Sequence, residues 1–68
     1  LTAKILMRLR THLMSLIEND GYLVISGIID QNQSDIESHF LTGKFALHHI
    51  ITEKEWVCYI LQKKGNIN

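Results

Sequence analysis

Ser26, Gly27 and Ile28 follow directly on the apolar run Tyr22-Leu23-Val24-Ile25, and this junction offers the clearest place for chemistry in the sequence. An apolar run of that length closed by Ser-Gly predicts a strand over residues 22–26, buried on both faces, with a turn at its carboxyl end. In open α/β sheets the loops at that end form the crevice in which ligands bind. Glycine allows a backbone to approach a ligand closely because it carries no Cβ. The same residues also suit a plain strand-to-helix turn that needs something small.

Other chemically capable residues are less well placed. His48 and His49 are consecutive, and on a regular strand consecutive side chains point to opposite faces, so the two imidazoles would not share a metal ion. Were Ile51 to pair with Trp56 across a four-residue loop, His49 would lie opposite Cys58, still with no third ligand near in sequence. Cys58 sits inside Trp56-Val57-Cys58-Tyr59-Ile60-Leu61, where burial favours an inert neutral thiol over a reactive thiolate. Asp30, Asp35 and Glu37 read as a polar helix face, and Glu53 and Glu55 as the flanks of a loop. Lys4 and Arg8 lie one turn apart on a solvated face. No catalytic residue and no metal ligand is expected in this chain.

The elements that must position these residues follow from periodicity. Leu6, Leu9, Leu13 and Leu16 recur at helical steps within a breaker-free stretch, with Lys4, Arg8, Thr11, Ser15 and Glu18 opposite them, which predicts a helix over residues 1–18 lying across a sheet. Thr2 suits its N-cap, and Gly21 its left-handed stop. After the first strand, Asp30 or Ser34 can cap a second helix. Ser34 and Glu37 have capping-box spacing, Ile36 and Phe40 face inward, and Gly43 ends it. Strands over 45–51 and 56–61 then flank the polar loop Thr52-Glu53-Lys54-Glu55. The second of these strands has no polar alternation, so both its faces should be covered. Trp56 reads as a core or interface anchor, and residues 63–68 as a frayed polar tail.

Bulk properties set outer limits. Sixty-eight residues make at most one small domain, which buries roughly 60% of its extended surface. One cysteine excludes an intrachain disulfide, and a composition 46% hydrophobic without proline is too apolar for disorder. Formal charge is zero and the basic residues are scattered, which argues against direct nucleic-acid binding. No apolar run approaches the ~20 residues that span a bilayer. The chain opens on Leu1, without an initiator methionine, in keeping with the expectation that it is part of something larger.

The order helix, strand with Ser26-Gly27-Ile28, helix, then a hairpin whose last strand begins Glu55-Trp56-Val57 resembles the carboxyl-terminal part of one enzyme family. These are the S-adenosylmethionine-dependent methyltransferases of bacterial large-subunit ribosomal protein eleven. The resemblance covers residues 1–64, leaving 65–68 as a tail. It implies the carboxyl-terminal portion of an α/β, Rossmann-like (class I) methyltransferase sheet whose final strand inserts antiparallel between the two before it. In the family the equivalent Ser/Thr-Gly-Ile lies beside the active-site crevice, which implies that Ser26, Gly27 and Ile28 are adjacent to substrate or cofactor. Family members also carry an Asn-Ile or Asn-Leu pair before the position of Leu1. The resemblance implies that its asparagine helps to hold the substrate amine, so Leu1 and Thr2 would be its neighbours. Where the family usually has Pro-Gly-Gly before the first strand, this chain has Asn19-Asp20-Gly21.

Two readings of function come from this. The first is part of a cytoplasmic enzyme that moves a methyl group from S-adenosylmethionine to amines of a ribosomal protein. The glycine-rich cofactor loop and its acidic ribose partner are not among these residues, so the segment would be inactive alone. The second is a small non-enzymatic module that self-associates through its surplus apolar surface, because its sheet would expose an edge and its first helix an uncovered face.

Overall fold

The computed structural model describes residues 3–65. Helix α1 spans Ala3–Leu16, strand β1 Tyr22–Ile29, helix α2 Gln33–Phe40, strand β2 Phe45–Glu53 and strand β3 Trp56–Lys63, with a single 3-10 turn, Asp30–Asn32, leading into α2. The three strands form one sheet in the order β1-β3-β2. Strand β3 is antiparallel to both neighbours. The result is a two-layer α/β arrangement, with both helices on one face of a three-stranded antiparallel sheet.

The core lies between these layers. Val57, Tyr59 and Leu61 alternate along β3 and are fully buried, as are Ile25 and Ile28 of β1 and Phe45 of β2. Ile36 and Phe40 of α2 close over them, one helical turn apart as their spacing predicts, and Ala3 and Leu6 of α1 complete the cluster. Met7, Leu13, Met14 and Ile17 pack against its rim, while Ile5, Leu9 and Leu16 remain exposed. α1 therefore covers one end of the sheet face with only part of its apolar arc.

The structure corrects several local expectations. Helix α1 stops at Leu16 rather than Glu18. Asp20, not Gly21, takes the left-handed conformation, with φ 67°, which a short polar side chain tolerates better than most. Gly21 is needed for space instead, since a Cβ there would meet the Glu18 carbonyl oxygen at 2.9 Å. The Ser34–Glu37 capping box does not form. Asn32 occupies the N-cap without a side-chain hydrogen bond, because the 3-10 turn draws Ser34 into the first turn of α2. The hairpin loop is shorter than four residues. Glu53 pairs with Trp56, which leaves a two-residue turn at Lys54-Glu55 with Lys54 at φ 54°, as tight hairpins require at that position.

Lys63 is not part of a frayed tail. It is the last residue of β3, its backbone N–H donates to the Gly21 carbonyl at 2.9 Å, and its ammonium donates to the carbonyls of Met14 at 2.9 Å and Ile17 at 2.8 Å. These are carbonyls that the end of α1 leaves without helical partners, and a cation there also complements the helix dipole. Replacing Lys63 by Met should lower unfolding free energy by about 1–2 kcal/mol, whereas Lys64→Met, at an exposed position, should change it by less than about 0.5 kcal/mol. Urea midpoints at constant slope would measure the difference.

Candidate functional site

Ser26 and Gly27 do not end β1. The strand runs on to Ile29, and its register against β3 shifts at this point: Ile25 pairs with Tyr59, and Ile28 with Val57. Two residues therefore oppose the single residue Cys58, which defines a β-bulge. Gly27 holds φ 74°, the conformation that a bulge asks of glycine. A Cβ at Gly27 would meet nothing within 4 Å, so the requirement there is backbone conformation alone. The bulge resets the alternation of the strand, which is how Ile25 and Ile28 both reach the core although they are three residues apart.

The candidate residues accordingly divide. Ser26 and Gly27 are exposed at the bulge. Ile28 is fully buried and presents only backbone to anything outside. Leu1 and Thr2 lie outside the described residues. Beyond the bulge, the Asp30 N–H donates to the Glu55 carbonyl at 2.8 Å, which ties the start of the 3-10 turn to the β2–β3 turn. The described residues enclose no cavity, so a ligand at Ser26-Gly27 would meet a single exposed wall.

The histidines follow a different geometry from the one their spacing predicts. The β2–β3 register shifts between Leu47 and His49, and His48 is the extra residue. Its ring lies edge-on to Tyr22, with centroids 5.0 Å apart, on the face opposite Tyr59. His49 pairs with Ile60 and not Cys58, on that same face. The bulge thus brings both imidazoles to one side, overturning the expectation of opposite faces. Among the described residues no set of three or more His, Cys, Asp or Glu side chains is placed to hold a metal. Cys58 is half-buried and pairs with Ile51, on the less covered face. That face also corrects the expectation that β3 is covered on both sides: Trp56 is exposed and lies outside the core.

One polar contact inside the fold has no counterpart in the sequence reading. The Tyr59 hydroxyl donates to Glu37 Oε2 at 2.9 Å, although the Tyr59 residue itself is fully buried. Only the inward face of β3 and the inward edge of α2, taken together, could have suggested it. Burial, and then the carboxylate beside it, push the phenol above its usual 10.0. A second tie, within the helix layer, runs from Arg10 Nε of α1, which donates to the His39 carbonyl of α2.

With this geometry established, comparison with known proteins is decisive. The family model of ribosomal protein L11 methyltransferase (PrmA) matches residues 1–64. The chain belongs to that family. Among curated ribosomal protein L11 methyltransferases, that of Bacillus licheniformis is 26% identical over 61 residues, covering 90% of this chain and 20% of the relative. That of Staphylococcus epidermidis is 41% identical over 49 residues, 72% of this chain and 15% of the relative. The crystal structure of the ribosomal protein L11 methylase from Lactobacillus delbrueckii subsp. bulgaricus superposes with a TM-score of 0.85 at 25% identity, over 94% of this chain and 33% of that one. The chain thus spans about a fifth of the length of the curated relatives it matches. Among the described residues, no helix is long and apolar enough to cross a membrane.

The Tyr59–Glu37 contact generates a pH test. A phenol whose folded-state pKa lies above its unfolded 10.0 holds its proton more tightly in the folded chain, so folding loses ground once the unfolded chain can shed that proton. Its contribution is full at lower pH and is lost as pH rises past 10 toward the folded value. Stability to urea should therefore decline above about pH 10 with a component that Tyr59→Phe removes. That substitution should itself cost about 1–3 kcal/mol at neutral pH, because it strips Glu37 of its donor.

Proposed function

We propose that this chain is the carboxyl-terminal part of an enzyme that transfers methyl groups from S-adenosylmethionine to amines of ribosomal protein L11, both lysine side chains and the terminal amine. The observation that carries this reading is the match of residues 1–64 to the family model, supported by the close superposition on the Lactobacillus methylase. In this reading β1, β3 and β2 form one end of a larger Rossmann-like sheet in the cytoplasm, and the partner is the ribosomal protein rather than nucleic acid.

The described residues do not fit a whole cofactor site, since they enclose no cavity and supply neither a glycine-rich loop nor an acidic ribose partner. Ser26, Gly27 and the backbone of Ile28 form one wall beside the reacting groups, and Leu1 and Thr2 would neighbour the substrate-holding asparagine that the family carries before them. Their part is positional. Methyl transfer to an amine gains chiefly from holding nucleophile and methyl carbon in line, so a wall that fixes one reactant contributes to rate without touching the transferred group.

Two measurements test this. The purified 68-residue chain should transfer no labelled methyl from S-adenosylmethionine to ribosomal protein L11, and label incorporated by the chain alone would refute its incompleteness. A longer polypeptide that carries this chain behind the missing cofactor motif should transfer label, and its failure while folded and saturated with cofactor would sink the methyltransferase reading. In that longer polypeptide Gly27→Ala should lower kcat/KM by roughly tenfold or more. In the 68-residue chain the same change should cost only about 1–2 kcal/mol of stability, for a non-glycine residue in the left-handed region.

A further inference from the structure

We propose that Asp20-Gly21, the bend between α1 and β1, is a site of spontaneous aspartyl isomerisation. The closed turn holds the reaction off, and its product unfastens the end of α1 from β3. The reaction depends on this turn alone and not on methyl transfer.

The fold keeps a reactive pair of residues together here. Asp20 is exposed. The carboxyl carbon of an aspartate is open to attack by the peptide nitrogen of the next residue, and that residue's side chain is the ordinary obstacle to the approach. Glycine presents none. Glycine is also compulsory at this position, because a Cβ on Gly21 would meet the Glu18 carbonyl oxygen at 2.9 Å and Ile17 Cγ2 at 3.1 Å. The φ of 67° at Asp20 in turn favours glycine, asparagine or aspartate.

The step needs no partner except water. The Gly21 nitrogen bonds to Asp20 Cγ, while its proton and the hydroxyl of the protonated carboxyl leave together as water. The product is a five-membered succinimide. Water then opens one of the two ring carbonyls. Opening at Cγ restores the original aspartate, whereas opening at the main-chain carbonyl leaves Gly21 joined through the side chain. That second product has one more carbon in its main chain and carries its carboxylate on Cα.

In the closed turn the attacking nitrogen is occupied, since the Gly21 N–H donates to the Glu18 carbonyl at 2.8 Å. The peptide on either side is held as well. The Asp20 N–H donates to the Lys63 carbonyl and the Lys63 N–H to the Gly21 carbonyl, both at 2.9 Å. Gln62 Nε2 donates to the Asp20 carbonyl at 3.1 Å. Ring closure therefore waits on local opening. Once it has occurred the turn does not re-form, because the reciprocal pair with Lys63 spans the linkage that has lengthened. Lys63 is also the residue whose ammonium binds the Met14 and Ile17 carbonyls, so a shift of its backbone loosens the end of α1.

The test incubates the 68-residue chain near neutral pH, folded and in urea, and maps β-linked aspartate by fragmentation mass spectrometry. The product should accumulate at Asp20 ahead of Asp30 and Asp35, about tenfold or more slowly in the folded chain than in urea. Lys63→Met should speed the folded reaction about fivefold and leave the rate in urea unchanged. Asp20→Gly, which suits the same backbone conformation, should fold and give no product at that position. In the purified product the Lys63 amide should exchange about tenfold or more faster than in the parent chain. Absence of product at Asp20 in urea, equal rates folded and in urea, or a product whose Lys63 amide exchanges as before overturns the proposal.

Discussion

Strand β3 is hydrogen-bonded along both of its edges, and the other elements take their places from it. β1 and β2 do not touch as strands; each is registered only against β3. The inward residues Val57, Tyr59 and Leu61 form the floor on which Ile36 and Phe40 pack. A strand in that position must satisfy its backbone on two sides while burying large side chains on a third. This explains why its sequence is the most continuously apolar in the chain.

Three polar contacts fasten the layers to that strand without placing an unpaired charge in the core. The Tyr59 hydroxyl reaches the Glu37 carboxylate at the margin of α2. Lys63 caps the end of α1. The Asp30 amide meets the carbonyl of Glu55 at the far hairpin turn. Each links elements remote in sequence, and they meet β3 just before its start, at its middle and at its end, so each helix and the entry to α2 are held at fixed height along the sheet. Among the described residues no buried side-chain polar atom lacks a partner, consistent with a fold whose few inward polar groups serve as locators.

Element types were legible from periodicity because they depend on which residues are apolar and how often. The leucine spacing of α1, the pair Ile36 and Phe40, and the three strand runs all became elements at nearly the expected places. What the sequence concealed was parity and closure. Nothing local distinguishes Ser26-Gly27 as a turn from Ser26-Gly27 as a bulge; the outcome depends on whether Cys58 is available across the ladder. The doubled histidine is the same case, since an added residue at His48 reverses the faces that simple alternation assigns. Lys63 reads as tail because its partners are carbonyls at and just beyond the end of α1, which carry no side-chain signature. For the candidate site, Ser26 and Gly27 were found from composition, but Ile28 proved to be core, because the bulge turns it inward.

The order of the strands along the chain and their order in space are opposed. β3 comes last of the three strands, yet it stands in the middle. A ribosome synthesising this segment releases β1, α2 and β2 before the strand that joins β1 to β2 exists, and the edges that β3 will occupy stay open meanwhile. Nascent chains in that condition are clients for chaperones that shield extended apolar segments. A stop codon anywhere within β3 would not trim a margin; it would remove the strand that joins the other two.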